Sequence, residues 1–111
     1  MVLTGVLASP SKLLLGSTRG VVIQAWDAID QATDLTAATA TIQIFDDTGT
    51  SVLSAGSATV SGSTLLSISR SWDTTSVTPG RYKVVTRVTF GGLVDILQHA
   101  VEVTTLPGPV S

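Results

Sequence analysis

Apolar residues fall at every second position in one short run after another along this chain, and Gly, Pro, Asp or Ser closes each run. That period puts alternate side chains on opposite faces of a β-strand, and it leaves no apolar stripe for a helix. The clearest case lies between Tyr82 and Val101, where two alternating stretches flank Gly91-Gly92. Two adjacent glycines are a two-residue hairpin signal, because both positions take positive φ without penalty. With these glycines as the loop, Phe90 faces Leu93, Thr86 faces Leu97, Val84 faces His99 and Tyr82 faces Val101. On the reverse face Arg81 meets Glu102, and that face also carries Val85, Val94 and Ile96. A β-bulge would shift this register by one residue.

The other runs follow the same rule. Val21 to Ala28 reads as a strand with Val21, Ile23 and Ala25 on one face. A long connection follows, in which Asp34-Leu35 tucks one leucine beneath the loop; its threonines and aspartates disfavour a helix. Ala40, Ile42 and Ile44 alternate inward on the next strand, which ends at the turn residues Asp46-Asp47-Thr48-Gly49. A second hairpin turns at Ser61-Gly62-Ser63, and beyond it Leu66, Ile68 and Trp72 share a face. The expected core is Ile23, Ala25, Ile42, Ile44, Leu66, Ile68, Tyr82, Val84, Val88 and Val101. Strands at near-regular spacing without helices point to an all-β sandwich in one domain over residues 18–104. Residues 1–17 read as an N-terminal arm or first strand rather than a leader, lacking a basic start and broken by Pro10 and Lys12. Residues 105–111 hold Pro107, Gly108 and Pro109 and read as an extended tail.

Composition narrows the function more than it names one. Only 13% of the 111 residues are charged, with a net charge of −2, against about 25% charged in ordinary domains. Six scattered basic residues give no nucleic-acid footprint. No run reaches the roughly 20 apolar residues a membrane-spanning helix needs. Cysteine is absent, which removes disulfides and thiolate chemistry. A surface so poor in charge has weak protection against association, which suits a protein partly covered in its working state.

Candidate chemistry is sparse. His99 is the one histidine, and Asp95 on the same strand face lies about 13 Å away at the usual rise per residue. It reads as a core histidine beside Val84. Asp27, Asp30, Asp34, Asp46 and Asp47 gather around loops, but their spacing matches no calcium loop and includes no glutamate. They read as turn formers. No serine sits in a nucleophile motif, and no base is placed to activate one. No cofactor or metal is therefore expected. Trp72 reads as core. Alternation turns Trp26 outward, either beneath the long connection or as an anchor for a partner.

Two stretches resemble known domains. Val77 to Tyr82, "VTPGRY", looks like the turn into a late strand of immunoglobulin-like and fibronectin-type sandwiches. Pro79 and Gly80 would make the corner, Val77 would plug the core, and the Tyr82 hydroxyl would bond back to the backbone as a tyrosine corner. "AWDAIDQATDLTAATATIQIFDDTGTSV", with "WDTTSVTPGRYKVVTRVTFGG" and "AVEV", is similar to small immunoglobulin-like domains of tailed-bacteriophage virion proteins. Asp34-Leu35-Thr36-Ala37-Ala38 follows their loop pattern, with Ala37 where glycine is common. The resemblance runs from about Arg19 to Val103.

The resemblance implies an immunoglobulin-like antiparallel sandwich serving as a non-enzymatic structural part of the virion, at the head–tail neck or tail. Its partners would be portal, neck, tail or capsid subunits and copies of itself, with neither nucleic acid nor membrane. A capsid decoration protein is the nearest alternative. A carbohydrate- or host-surface-binding sandwich is a third, with Trp26 as its only aromatic platform. The expected interface comprises Trp26, Val85, Val94 and Ile96, with Leu13 and Leu15 from the N-terminal segment and Leu106 and Pro107 from the tail.

Overall fold

The structure, a computed structural model, describes residues 2–16, 18 and 20–105. Nine strands and no helix appear among them: β1 (Leu3–Leu7), β2 (Lys12–Leu14), β3 (Val21–Asp27), β4 (Thr39–Asp46), β5 (Ser51–Ser57), β6 (Thr59–Ser61), β7 (Leu66–Arg70), β8 (Gly80–Phe90) and β9 (Leu93–Thr104). They form a four-stranded sheet in the order β1-β3-β7-β6 and a five-stranded sheet in the order β2-β9-β8-β4-β5. The inner faces of the two sheets meet in one core that contains all ten residues expected from the alternation. Leu3, Leu13, Val21, Leu35, Ala38, Ala40, Trp72, Leu97 and Val103 complete it. The chain is an all-β, immunoglobulin-like sandwich.

The β8–β9 hairpin has the register its glycines imply. Gly91 and Gly92 both take positive φ, 57° and 80°, as a primed two-residue turn requires. Phe90 pairs with Leu93, Thr86 with Leu97, Val84 with His99, Tyr82 with Val101 and Arg81 with Glu102, without a shift anywhere along the ladder. The irregularity lies elsewhere: β4 and β5 slip between Ile42 and Ile44 and again between Ile44 and Phe45. Arg70 reaches into that gap from the opposite sheet. Its guanidinium donates to the Ile42 and Ser54 carbonyls, supplying donors that the broken ladder lacks.

Of the two readings of the N-terminal segment, arm or first strand, the structure shows strand. β1 pairs antiparallel with β3, and β2 pairs parallel with β9, so both belong to the sheets. The parallel pair also departs from the expected all-antiparallel arrangement. Its cause is local. The Ala8 and Ser9 amides both donate to the Val22 carbonyl, and the Ser9 hydroxyl accepts the Val22 amide at 3.0 Å. Pro10 has no N–H with which to continue the ladder, so the chain crosses to the other sheet still running in the same direction. Leu3 and Leu13 end 6% and 4% exposed, one on each sheet.

Further contacts hold the frame. The Tyr82 hydroxyl donates to the Thr78 carbonyl, closing the expected tyrosine corner, and burial above all pushes its phenol pKa up. Its ring meets Trp72 edge-on, with centroids 5.3 Å apart at 71°. At the other end, buried Asp27 accepts the Ile29 amide at 2.9 Å and the Thr33 hydroxyl at 2.8 Å. The Thr33 hydroxyl is the main reason its carboxyl sits below the usual 3.8. Leu35, fully buried, anchors the same connection, and its amide donates to the Ser63 carbonyl at 2.8 Å.

Three outcomes test this frame. Tyr82→Phe should cost about 1 kcal/mol in urea unfolding, the worth of one such hydrogen bond; an unchanged midpoint would remove the corner. A Cβ at Gly5 would meet the Gln24 carbonyl oxygen at 2.7 Å and Leu97 Cδ1 at 3.0 Å. Gly5→Ala should therefore cost about 1–3 kcal/mol as overpacking, and a neutral result would mean β1 does not lie so close. The Asp27 carboxyl, lowered in the fold, contributes stability above its unfolded pKa that is lost as pH falls through the lowered value. Comparing urea midpoints at about pH 7 and about pH 3, Asp27→Asn should lose less on acidification than the parent. Equal losses would contradict the assignment.

Candidate interaction surface

Several titratable groups are engaged by the fold itself. His99 lies half-buried on the inner face of β9, where its Nε2 is 3.1 Å from the Gly5 carbonyl oxygen, which makes that nitrogen the donor. Its Nδ1 is buried without a partner, as is the Thr86 hydroxyl. Among the described residues, no carboxylate is hydrogen-bonded to the imidazole. The core reading of His99 therefore matches its place.

The loop aspartates cap their own turns. Asp34 accepts the Thr36 amide and hydroxyl, Asp46 those of Thr48 with the Thr50 amide, and Asp73 those of Thr75. In each case the threonine hydroxyl is the chief cause that holds the carboxyl below its ordinary value. Asp-x-Thr at two-residue spacing is the sequence signal for this, an Asx turn reinforced by a hydroxyl. Among the described residues, no three His, Cys, Asp or Glu side chains gather as a metal site.

The surface with most character is the outer face of the five-stranded sheet. The register sets Arg81, Lys83, Val85 and Arg87 along β8 on this face, facing Glu102, Ala100, Gln98 and Ile96 along β9. Val94 and Ile96 are each 52% exposed, and Leu93 beside the turn is 57% exposed. Val85 is half-buried among its neighbours. Towards the other end an open groove of about 790 Å³ runs between the β4–β5 turn and these strands, lined by Phe45, Asp47, Arg81, Lys83, Val85 and Gln98 among others. The face thus grades from apolar at the hairpin tip to basic near the start of β8. A face of this kind can bind a flat complementary surface.

Of the expected interface residues, the structure places Val85, Val94 and Ile96 on this one face, Val94 and Ile96 beside each other and Val85 further along. Trp26 points out of the other sheet, half-buried and opposite Thr4, so it does not join them. Leu13 is corrected: it is core, because β2 packs it inward beside Val103. Leu15 stays 36% exposed just past β2, its amide donating to the Thr104 carbonyl at 2.8 Å. Leu106 and Pro107 lie outside the described residues. The basic row Arg81, Lys83 and Arg87 was overlooked as a surface feature, although its period of two was visible in the sequence.

A scan of protein-family models finds no match to the chain, and a search of curated proteins finds none either. Similarity appears at the level of solved structures. A four-domain ectodomain fragment of ICAM-5, D1–D4, superposes with a TM-score of 0.62 at 20% identity, covering 96% of this chain and 26% of that one. A family 123 glycoside hydrolase from Clostridium perfringens gives 0.56 at 12% identity, covering 98% of this chain and 28% of that one. The Lin-41 filamin domain gives 0.49 at 11% identity, covering 90% and 91%. This chain spans about a quarter of the length of the first two. At these identities the likeness is one of fold, the immunoglobulin-like sandwich.

Proposed function

We propose that this chain is a non-enzymatic structural part of a tailed-phage virion, joining neighbouring subunits at the head–tail neck or tail through the outer face of its five-stranded sheet. The observation that carries the reading is the row of Val85, Val94 and Ile96 on a face that the core does not use. A solvated outer face of an antiparallel sheet is ordinarily polar. Covering a valine or isoleucine contributes about 1.5–3 kcal/mol relative to exposure, so exposed Val94 and Ile96 on β9, with half-buried Val85 further along the same face, form a useful docking surface. The phage setting comes from the loop and corner stretches described above, Asp34-Leu35-Thr36 and Val77 to Tyr82. Leu15, exposed just past β2, adds a contact beyond the sheet.

The direct test changes Val85 and Ile96 together to Thr. Stability of the isolated domain should fall by less than about 1 kcal/mol, as surface changes do, while incorporation into particles drops sharply. Normal incorporation would overturn the reading, as would an isolated domain that no longer folds. Copy number in intact particles, by quantitative mass spectrometry, then separates a neck ring of a dozen or fewer, as about one subunit per ring position, from the hundreds of a decoration protein.

A further inference from the structure

The edge of β9 is open over most of its length. Phe90 and Leu93 close the two-residue loop, and in such a hairpin the closing pair and every second pair beyond it exchange N–H···O bonds. The backbone groups of alternate residues from Leu93 to Val101 therefore face β8. Those of Val94, Ile96, Gln98 and Ala100 face away. β2 occupies that side only from Glu102 onward, where the Glu102 amide donates to the Ser11 carbonyl at 2.8 Å. Among the described residues, no backbone partner takes up the four that precede it. Natural edges are usually blunted by bulges, prolines, lysines or shortness. β5 has its two register shifts and β6 is three residues long, whereas β9 runs unshifted with no Pro or Lys.

We propose that this edge pairs with the same edge of a second copy, antiparallel about an axis at Leu97, so that the two five-stranded sheets become one. Ile96 then lies opposite the partner's Gln98, and Val94 opposite the partner's Ala100. On the inner side Asp95 comes opposite the partner's His99, so no like charges meet. The lengths select this register. The open stretch of one copy matches the stretch the other offers, and each Gly91-Gly92 tip ends beside the start of the partner's β2. A slip one way drives the tip into β2, and a slip the other way leaves Ala100 unpaired. The inference rests on reading the chain as an assembly part, and it names one partner as the chain itself.

Sedimentation equilibrium of the isolated chain, from low to high micromolar concentration, tests it. The expected result is a monomer–dimer equilibrium. Gln98→Pro removes an N–H that β8 does not use, so it should weaken the dimer by about tenfold or more and leave the melting temperature of dilute protein near the parent's. Ile96→Lys, which keeps the backbone unchanged and charges the edge, should do the same and decides the matter if the proline variant fails to fold. A chain monomeric at every concentration, or variants that dimerise like the parent, would overturn the pairing. Either result leaves the virion reading to stand or fall on particle incorporation.

Discussion

The rest of the structure depends on the pairing between β8 and β9. These are the longest strands, and their ladder runs from Gly80–Val103 to Phe90–Leu93 without a slip. Because side chains alternate with period two, one residue of slip in β8 would send Val84 and Val88 to solvent and bring Lys83 and Arg87 into the core. Gly91 and Gly92 prevent this by accepting the positive φ of a tight turn. Tyr82 ties the far end of the same strand to Thr78. Once both ends are set, the outer face of the sheet is determined as well, and Val85, Val94 and Ile96 have no place inside.

Around that hairpin the sandwich closes by close approach rather than by bulk. Gly5 lets β1 come against Leu97, and its carbonyl receives His99. Across the other side Arg70 spans the sheets and serves carbonyls that the irregular β4–β5 pairing leaves open. Polar groups are thus spent on joining elements and capping turns, each aspartate–threonine pair holding its own loop. The outer face of the five-stranded sheet keeps its own character, apolar at the hairpin tip and basic near the start of β8.

Much of this was legible in the sequence. Alternation identified the ten core residues, and Gly91-Gly92 the hairpin register. "VTPGRY" marked the corner, and Leu35 was read as the residue beneath its loop. What was missed depends on contacts distant in sequence. Leu3 and Leu13 sit in a segment that reads as either an arm or a first strand, since nothing local shows that Pro10 diverts the chain from one sheet to the other. The partner of His99 is a backbone carbonyl more than ninety residues away, and no spacing rule points to it. The open edge of β9 was equally hidden, because it follows from where β2 stops. Trp26 was expected to point outward, and it does, but on the sheet opposite the apolar row.

The central claim is that this sandwich works by covering the outer face of its five-stranded sheet. Hydroxyl-radical footprinting read by mass spectrometry measures that covering side chain by side chain, without any substitution. Val94 and Ile96 should label readily in the isolated chain, and both, with Val85, should be strongly protected in the assembled particle. Unchanged labelling of these residues on assembly, with protection appearing around Trp26 instead, would contradict the account and place the working surface on the opposite sheet.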